Sequence, residues 1–141
     1  MQFRIILLQR VLRSAGGLTM TVQSISAITL AVRDMARAVA FYNKGAGIPV
    51  LYGGPDASFT SLSVGDGYLN LILSTDADVR WWGRCILYVD DVDAHHRRMV
   101  DAGYTPDGEP ADAPWQERYY HITDPDGHEI SFARPIDPVY C

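Results

Sequence analysis

The chain has 141 residues, 48% apolar and 21% charged, which suits one globular domain and is too short for two independent ones. Its net charge is −5, and setting aside Arg4, Arg10 and Arg13 leaves 9 basic against 17 acidic residues, a body of −8. Such a body lacks the clustered basic face that phosphate recognition needs, and no apolar run approaches the roughly 18 residues that would span a bilayer, so neither a nucleic acid nor a membrane is an expected partner. Cys85, inside an apolar run, and the terminal Cys141 form no CxxC pair and no secreted-type framework, so a reducing, cytoplasmic setting is expected.

Residues 1–19 carry arginines, no acids and a short apolar core, Ile5 to Leu8. Two readings fit: a weak targeting segment, or a start codon taken too early with Met20 the true beginning. On either reading, residues 1–23 are an N-terminal extension and the domain is 24–141.

Ile25 to Val32 alternates with β-branched residues and predicts a strand. Asp34 follows as a helix cap, since its carboxylate reaches the free N–H groups of a first turn. Met35, Ala38, Phe41 and Tyr42 then form one apolar stripe that ends at Gly45 and Gly47. Three strands are expected next, at Val50 to Tyr52, Ser58 to Val64 and Tyr68 to Leu73, with Gly65-Asp66-Gly67 as the hairpin turn. The polar stretch Ser74 to Arg80 is the join.

The same order then returns. Cys85 to Val89 predicts a strand, Asp91 a cap, and Val92, His96, Met99 and Ala102 a stripe ending at Gly103. Strands are expected near Tyr104, at Arg118 to Ile122 and at Glu129 to Ala133, with Asp124 to Gly127 turning between the last two. Val32-Arg33-Asp34 precedes Val89-Asp90-Asp91 by 57 residues, and Ala46-Gly47 falls opposite Gly103-Tyr104. A fixed offset shared by strand, cap and helix end marks an internal repeat. The expected fold is therefore α+β: two tandem βαβββ modules, about 24–75 and 82–135, making a curved mixed sheet with helices outside and a concave face for a ligand.

ITLAVRDMARAVAFY (28–42) and ILYVDDVDAHHRRMVDAGY (86–104) resemble the strand–helix openings of vicinal-oxygen-chelate proteins. That superfamily includes glyoxalase I, extradiol dioxygenases, fosfomycin-resistance transferases and bleomycin-resistance proteins. PWQERYYHITDPDGHEISFARP (114–135) is similar to their closing hairpin, and the resemblance spans about residues 24 to 135. It specifies the fold far better than the activity. Enzymes of the superfamily usually hold a divalent metal on four inward side chains. Carried over position by position, those sites fall on Ala27, Asn70, Arg84 and Ser131. Alanine cannot coordinate, arginine is a permanent cation, and asparagine and serine alone are weak ligands for zinc or iron. The resemblance thus implies no resident metal or other cofactor, unless His121 and Glu129, the latter two positions along the same strand face, rebuild a site with a further ligand.

In the register the resemblance implies, Thr29, Asn70, Arg84, Tyr119, His121, Glu129 and Ser131 share the concave face. Arg84 either pairs with Glu129 or clamps an anionic ligand group. His121 is the candidate catalytic acid or base, and equally reads as a packed strand residue. His95 and His96, adjacent on a helix, point apart and read as surface or helix-packing residues. His128 reads as a solvated turn residue. Trp81 and Trp82, with Trp115, read either as ligand-stacking rings or as interface and core anchors.

Three functions follow. The leading one is a metal-independent binder of a small organic molecule, held between Trp81, Trp82, Tyr119 and the polar anchors Arg84, His121 and Asn70, acting by sequestration or carriage and as a homodimer. The second is an enzyme, a lyase, isomerase or dioxygenase with relocated metal ligands, or a metal-free one using His121 on a carbonyl substrate. The third is a partner-binding module that uses the sheet as scaffold.

Overall fold

The computed structural model describes residues 21–76 and 80–137. The N-terminal extension up to residue 20, the middle of the Ser74–Arg80 join and Cys141 lie outside the described residues.

Among the described residues, eight strands and two helices repeat one order. The first module runs β1 (Ala27–Val32), α1 (Met35–Val39), β2 (Val50–Tyr52), β3 (Phe59–Val64) and β4 (Gly67–Leu73). The second runs β5 (Arg84–Tyr88), α2 (Val92–Asp101), β6 (Ala111–Asp112), β7 (Glu117–Thr123) and β8 (Glu129–Pro135). Each module closes its own four-stranded sheet, β1-β4-β3-β2 and β5-β8-β7-β6. In both, the opening strand lies parallel to the closing one and the remaining pairs are antiparallel. A parallel pair needs a crossover, which the helix supplies. No helix among the described residues is long and apolar enough to cross a membrane.

Both predicted caps form. Asp34 accepts from the Arg37 amide at 3.0 Å and Asp91 from the Ala94 amide at 2.9 Å, each from an extended backbone. α1 then widens into a π-helical turn, Ala40–Gly45. Phe41 and Tyr42 are both fully buried there, their rings edge to face at 4.8 Å. Gly47, at φ +78°, ends the segment in the left-handed conformation that glycine adopts without strain.

One expected strand is absent. Tyr104 is not in a strand; its ring packs edge to face on Phe41 at 5.0 Å, and the edge strand forms later, at Ala111–Asp112. Gly45 permits this approach, because a Cβ there would meet the Tyr104 ring at 2.7 Å. Pro106 and Pro110 lie between Tyr104 and the edge strand, and neither offers an N–H to a ladder.

The two modules are tied at both ends of α1. Arg33, just ahead of the cap, donates its backbone N–H to Asp126 Oδ1 at 2.8 Å. At the other end Arg98 Nε donates to Gly45 O at 2.8 Å, and His95 Nε2 donates to Ala46 O at 2.8 Å. Cations and N–H donors at a helix C-terminus satisfy its open carbonyls and oppose its dipole. His95 Nδ1 accepts from the Tyr120 hydroxyl at 2.7 Å, while His96 is buried with its ring edge-on to Tyr120 at 5.0 Å. Both are helix-packing residues, and the buried surroundings hold the pKa of His95 below the ordinary imidazole value.

Between these ties lies a buried carboxylate. Asp124 accepts from the Tyr42 hydroxyl at 2.6 Å, from the Asp126 amide at 2.9 Å and from the His128 amide at 2.8 Å. Burial, and then the Asp124 charge, push the Tyr42 phenol well above its ordinary pKa, so it remains a donor. Tyr42→Phe leaves one lone pair of a buried carboxylate unmet and is expected to cost about 1–3 kcal/mol of stability, read as a lower urea midpoint. An unchanged midpoint would show that the module contact does not depend on this bond.

Candidate functional site

Strand alternation sorts the second sheet into two faces. Cys85, Ile130, Phe132, Tyr120 and Ile122 are buried in the core. Arg84, Ile86 and Tyr88 of β5, Glu117, Tyr119 and His121 of β7, and Glu129 and Ser131 of β8 point the other way, toward the open face. The ladder sets Arg84 beside Glu129 and His121 beside Ser131.

These side chains form one connected group. Arg84 NH2 donates to Glu129 Oε1 at 2.8 Å and the Trp81 indole donates to Glu129 Oε2 at 2.7 Å. The Trp81 bond and then the Arg84 charge hold the Glu129 carboxyl below its usual range. Arg84 NH1 faces His121 Nε2 at 3.4 Å, and His121 Nδ1 lies 2.5 Å from Ser131 Oγ. A guanidinium only donates, so the His121 lone pair on Nε2 is turned to Arg84 and its Nδ1–H to the serine. Partial burial and then the Arg84 cation lower the pKa of His121, which keeps the ring neutral over more of the physiological range. Tyr119 leans on the His121 ring at 4.8 Å and stacks with Trp115 at 5.8 Å.

The remaining predicted residues lie elsewhere. Thr29 and Asn70 face out from the first module's sheet, where the Asn70 amide accepts from Ser61 Oγ at 2.8 Å and donates to Thr29 Oγ1 at 3.4 Å. Trp82 sits at the seam between the modules, donating its indole N–H to His128 Nδ1 at 2.9 Å. His128 is buried, which corrects the expectation that it is solvated: its Nε2 donates to Ala31 O at 2.8 Å, so the ring bridges Trp82 and β1. The turn folds under the first module instead of projecting into water, because Asp124 and Asp126 are both anchored there.

The donor chemistry does not suit a divalent cation. The four positions matched to the superfamily's ligands present a methyl group, an amide, a guanidinium and a hydroxyl, and the last three are already engaged with protein groups. The guanidinium of Arg84 also lies between His121 and Glu129, the pair that a rebuilt site would use. Among the described residues, no group of three or more His, Cys, Asp or Glu side chains is placed to hold a metal ion.

Tyr88 and Glu117 were not singled out from the sequence, although the signal was present. Positions 84, 86 and 88 and positions 117, 119 and 121 share a face by simple alternation. Trp81, Trp115 and Tyr88 are 75%, 62% and 61% exposed, and Ile86 adds apolar area between them.

A protein built from two βαβββ modules, each with helix on one side and an open sheet face on the other, is what this geometry defines. The profile of the Glyoxalase/Bleomycin resistance protein/Dioxygenase superfamily matches residues 24–132, and the chain belongs to that superfamily. Among solved structures it is similar to TioX from Micromonospora sp. ML1, with a TM-score of 0.66 and 26% identity over 80% of this chain and 99% of that one. It is also similar to lactoylglutathione lyase from Agrobacterium tumefaciens, with a TM-score of 0.66 and 21% identity over 80% of this chain and 94% of that one. A glyoxalase/bleomycin resistance protein/dioxygenase from Nocardioides gives a TM-score of 0.66 at 17% identity, over 92% and 95% of the two chains. Comparison with curated proteins gives no match.

The Arg84 contact carries a test. Arg84→Met removes the cation beside His121 while keeping the aliphatic stem, so the imidazole pKa is expected to rise, read from its ring-proton shifts across a pH titration. A pKa that stays put or falls would remove Arg84 as the cause.

Proposed function

We propose that the protein binds a small organic molecule without a metal, on the open face of the second module, and acts by sequestering or carrying it. The observation that carries this reading is the position of the Arg84 guanidinium, bonded to Glu129 and turned to His121. The charges at the centre of the face are closed on one another, so what remains for a ligand is aromatic surface and directional hydrogen bonds. Trp81 and Tyr119 supply the rings, and Glu129 and Ser131 hold the neighbouring side chains in place. Rings fixed in this way stack on a planar ligand with little further loss of freedom. The same reading includes a homodimer in the cytoplasm. It is supported by Phe59, Tyr68 and Ile72, which leave apolar surface on the first module's open face, and by the free buried thiol of Cys85.

The test has two parts. Protein purified without chelator or histidine tag is expected to carry no stoichiometric metal and to show no fluorescence response to zinc, manganese, nickel or iron(II). One equivalent of metal, lost on replacing His121 or Glu129, would sink the proposal. Against a panel of planar compounds, a ligand that quenches tryptophan emission should bind roughly tenfold more weakly to Trp81→Ala, the loss expected for one stacked ring of about 1–2 kcal/mol.

A second reading, metal-free acid–base chemistry, is favoured by one observation: His121 lies on the open face with Ser131 Oγ at its Nδ1 and the Arg84 guanidinium at its Nε2, and partial burial lowers its pKa. On this reading, turnover of a carbonyl substrate would disappear in His121→Ala while ligand binding persisted. Turnover retained in the variant would exclude His121 from the chemistry.

A further inference from the structure

At the far end of the same face lies a second recess that the stacking proposal does not use. Tyr88, Trp115, Gln116, Glu117 and Pro135 enclose a cleft of about 370 Å³. We propose that this cleft is a binding site for an organic cation, an alkylammonium or guanidinium group carried by a small molecule.

The carboxylate is the first reason. Glu117 accepts from the Tyr88 hydroxyl through Oε1 and from the Trp115 indole through Oε2, at 3.2 Å for the latter. Both donors are neutral, so they orient the carboxylate without cancelling its charge. Among the described residues no basic side chain pairs with it. Arg118 is committed to Asp93 and Asp112, and Arg134 donates to the Asp90 carbonyl. Glu129, on the same face, is by contrast neutralised by Arg84. A carboxylate offers about four acceptor positions, so two remain for a ligand after its two protein bonds.

The walls are the second reason. Tyr88 and Trp115 both leave more than half of their surface open beside Glu117, and ring faces attract a cation through their quadrupole, tryptophan most strongly. Trp115 is not free to swing away: it stacks on Tyr119 with the ring planes 30° apart. The backbone beneath it is held in an unfavourable shape. Gln116, at φ +69°, is the only residue other than glycine with a positive φ among the described residues. Three bonds keep it so: Gln116 N to Ala113 O at 3.0 Å, Ala113 N to Glu117 O at 2.7 Å, and Ile136 N to Gln116 O at 3.0 Å. Strain that the surroundings over-determine in this way is characteristic of ligand clamps, and here it accompanies an indole whose N–H is turned to the carboxylate.

The site adjoins the one above through the stack of Trp115 on Tyr119, but its carboxylate lies away from the Arg84–His121–Glu129 group. Glu117 is four residues from His121 along one strand face, a distance of roughly 13 Å at the usual strand rise. The experiment is a two-dimensional amide NMR titration of the full chain with choline and, separately, with its neutral isostere 3,3-dimethyl-1-butanol. The Trp115 indole N–H resonance is expected to shift saturably with choline and to respond about tenfold more weakly to the alcohol. Glu117→Gln, which keeps the shape and both hydrogen-bonding neighbours, should weaken choline about tenfold, and Tyr88→Leu should weaken it as well. Equal affinity for choline and the alcohol, no movement of the Trp115 resonance, or full choline affinity in a folded Glu117→Gln variant would each overturn the proposal. If the variant does not fold, the comparison of choline with the alcohol on the unmodified chain decides alone. The Trp81 indole should remain unshifted, so failure here leaves the stacking proposal standing, and failure there leaves this one.

Discussion

The carboxylate of Asp124 is the point at which the two halves of this chain become one structure. It is buried, and it accepts from the phenol of one module and from two backbone amides of the other. An ionised group in such a place is tolerated only when its lone pairs are met, and removing one partner costs more than the bond contributed. The turn that carries it also carries Asp126, which receives the Arg33 amide, and His128, which reaches Ala31. Placement of the turn therefore sets the entry to α1, the edge of β1 and the position of Trp82.

The far end of α1 is fixed by the opposite chemistry. Its open carbonyls draw N–H donors, supplied by Arg98 and His95 from the second helix. With one end held through an acid and the other through bases, α1 cannot slide against the second module without breaking one set or the other. The sheets need no shared ladder under this arrangement, and each keeps its own four strands. The consequence for function is that both sheet faces opposite the helices stay open.

On the second module that open face is divided by how its charges are settled. At one end an arginine closes on a glutamate and faces a histidine, with the rings of Trp81 and Tyr119 beside them. At the other end a glutamate is oriented by two neutral donors and keeps its charge. Stacking is suited to the first environment and cation binding to the second, although the two lie on the same three strands.

Much of this was legible without coordinates. The 57-residue offset, the caps Asp34 and Asp91, and the alternation through β3, β4, β5, β7 and β8 are local patterns, set by the chain's own periodicity and by which residues can satisfy a helix end. The pairing of Arg84 with Glu129 was one of two readings left open, and alternation placed both side chains on the same face. Three-dimensional packing decided what depended on partners distant in sequence. Tyr104 resembles a strand residue locally, but it finds Phe41 across the module boundary and packs its ring edge to face there. His128 resembles a solvated turn residue, but the turn is drawn beneath the first module by Asp124 and Asp126, so its two nitrogens meet Trp82 and Ala31. Local sequence carries the periodicity that makes elements. Which faces then meet, and which carboxylate is left without a cation, is settled only when burial brings remote groups within hydrogen-bonding distance.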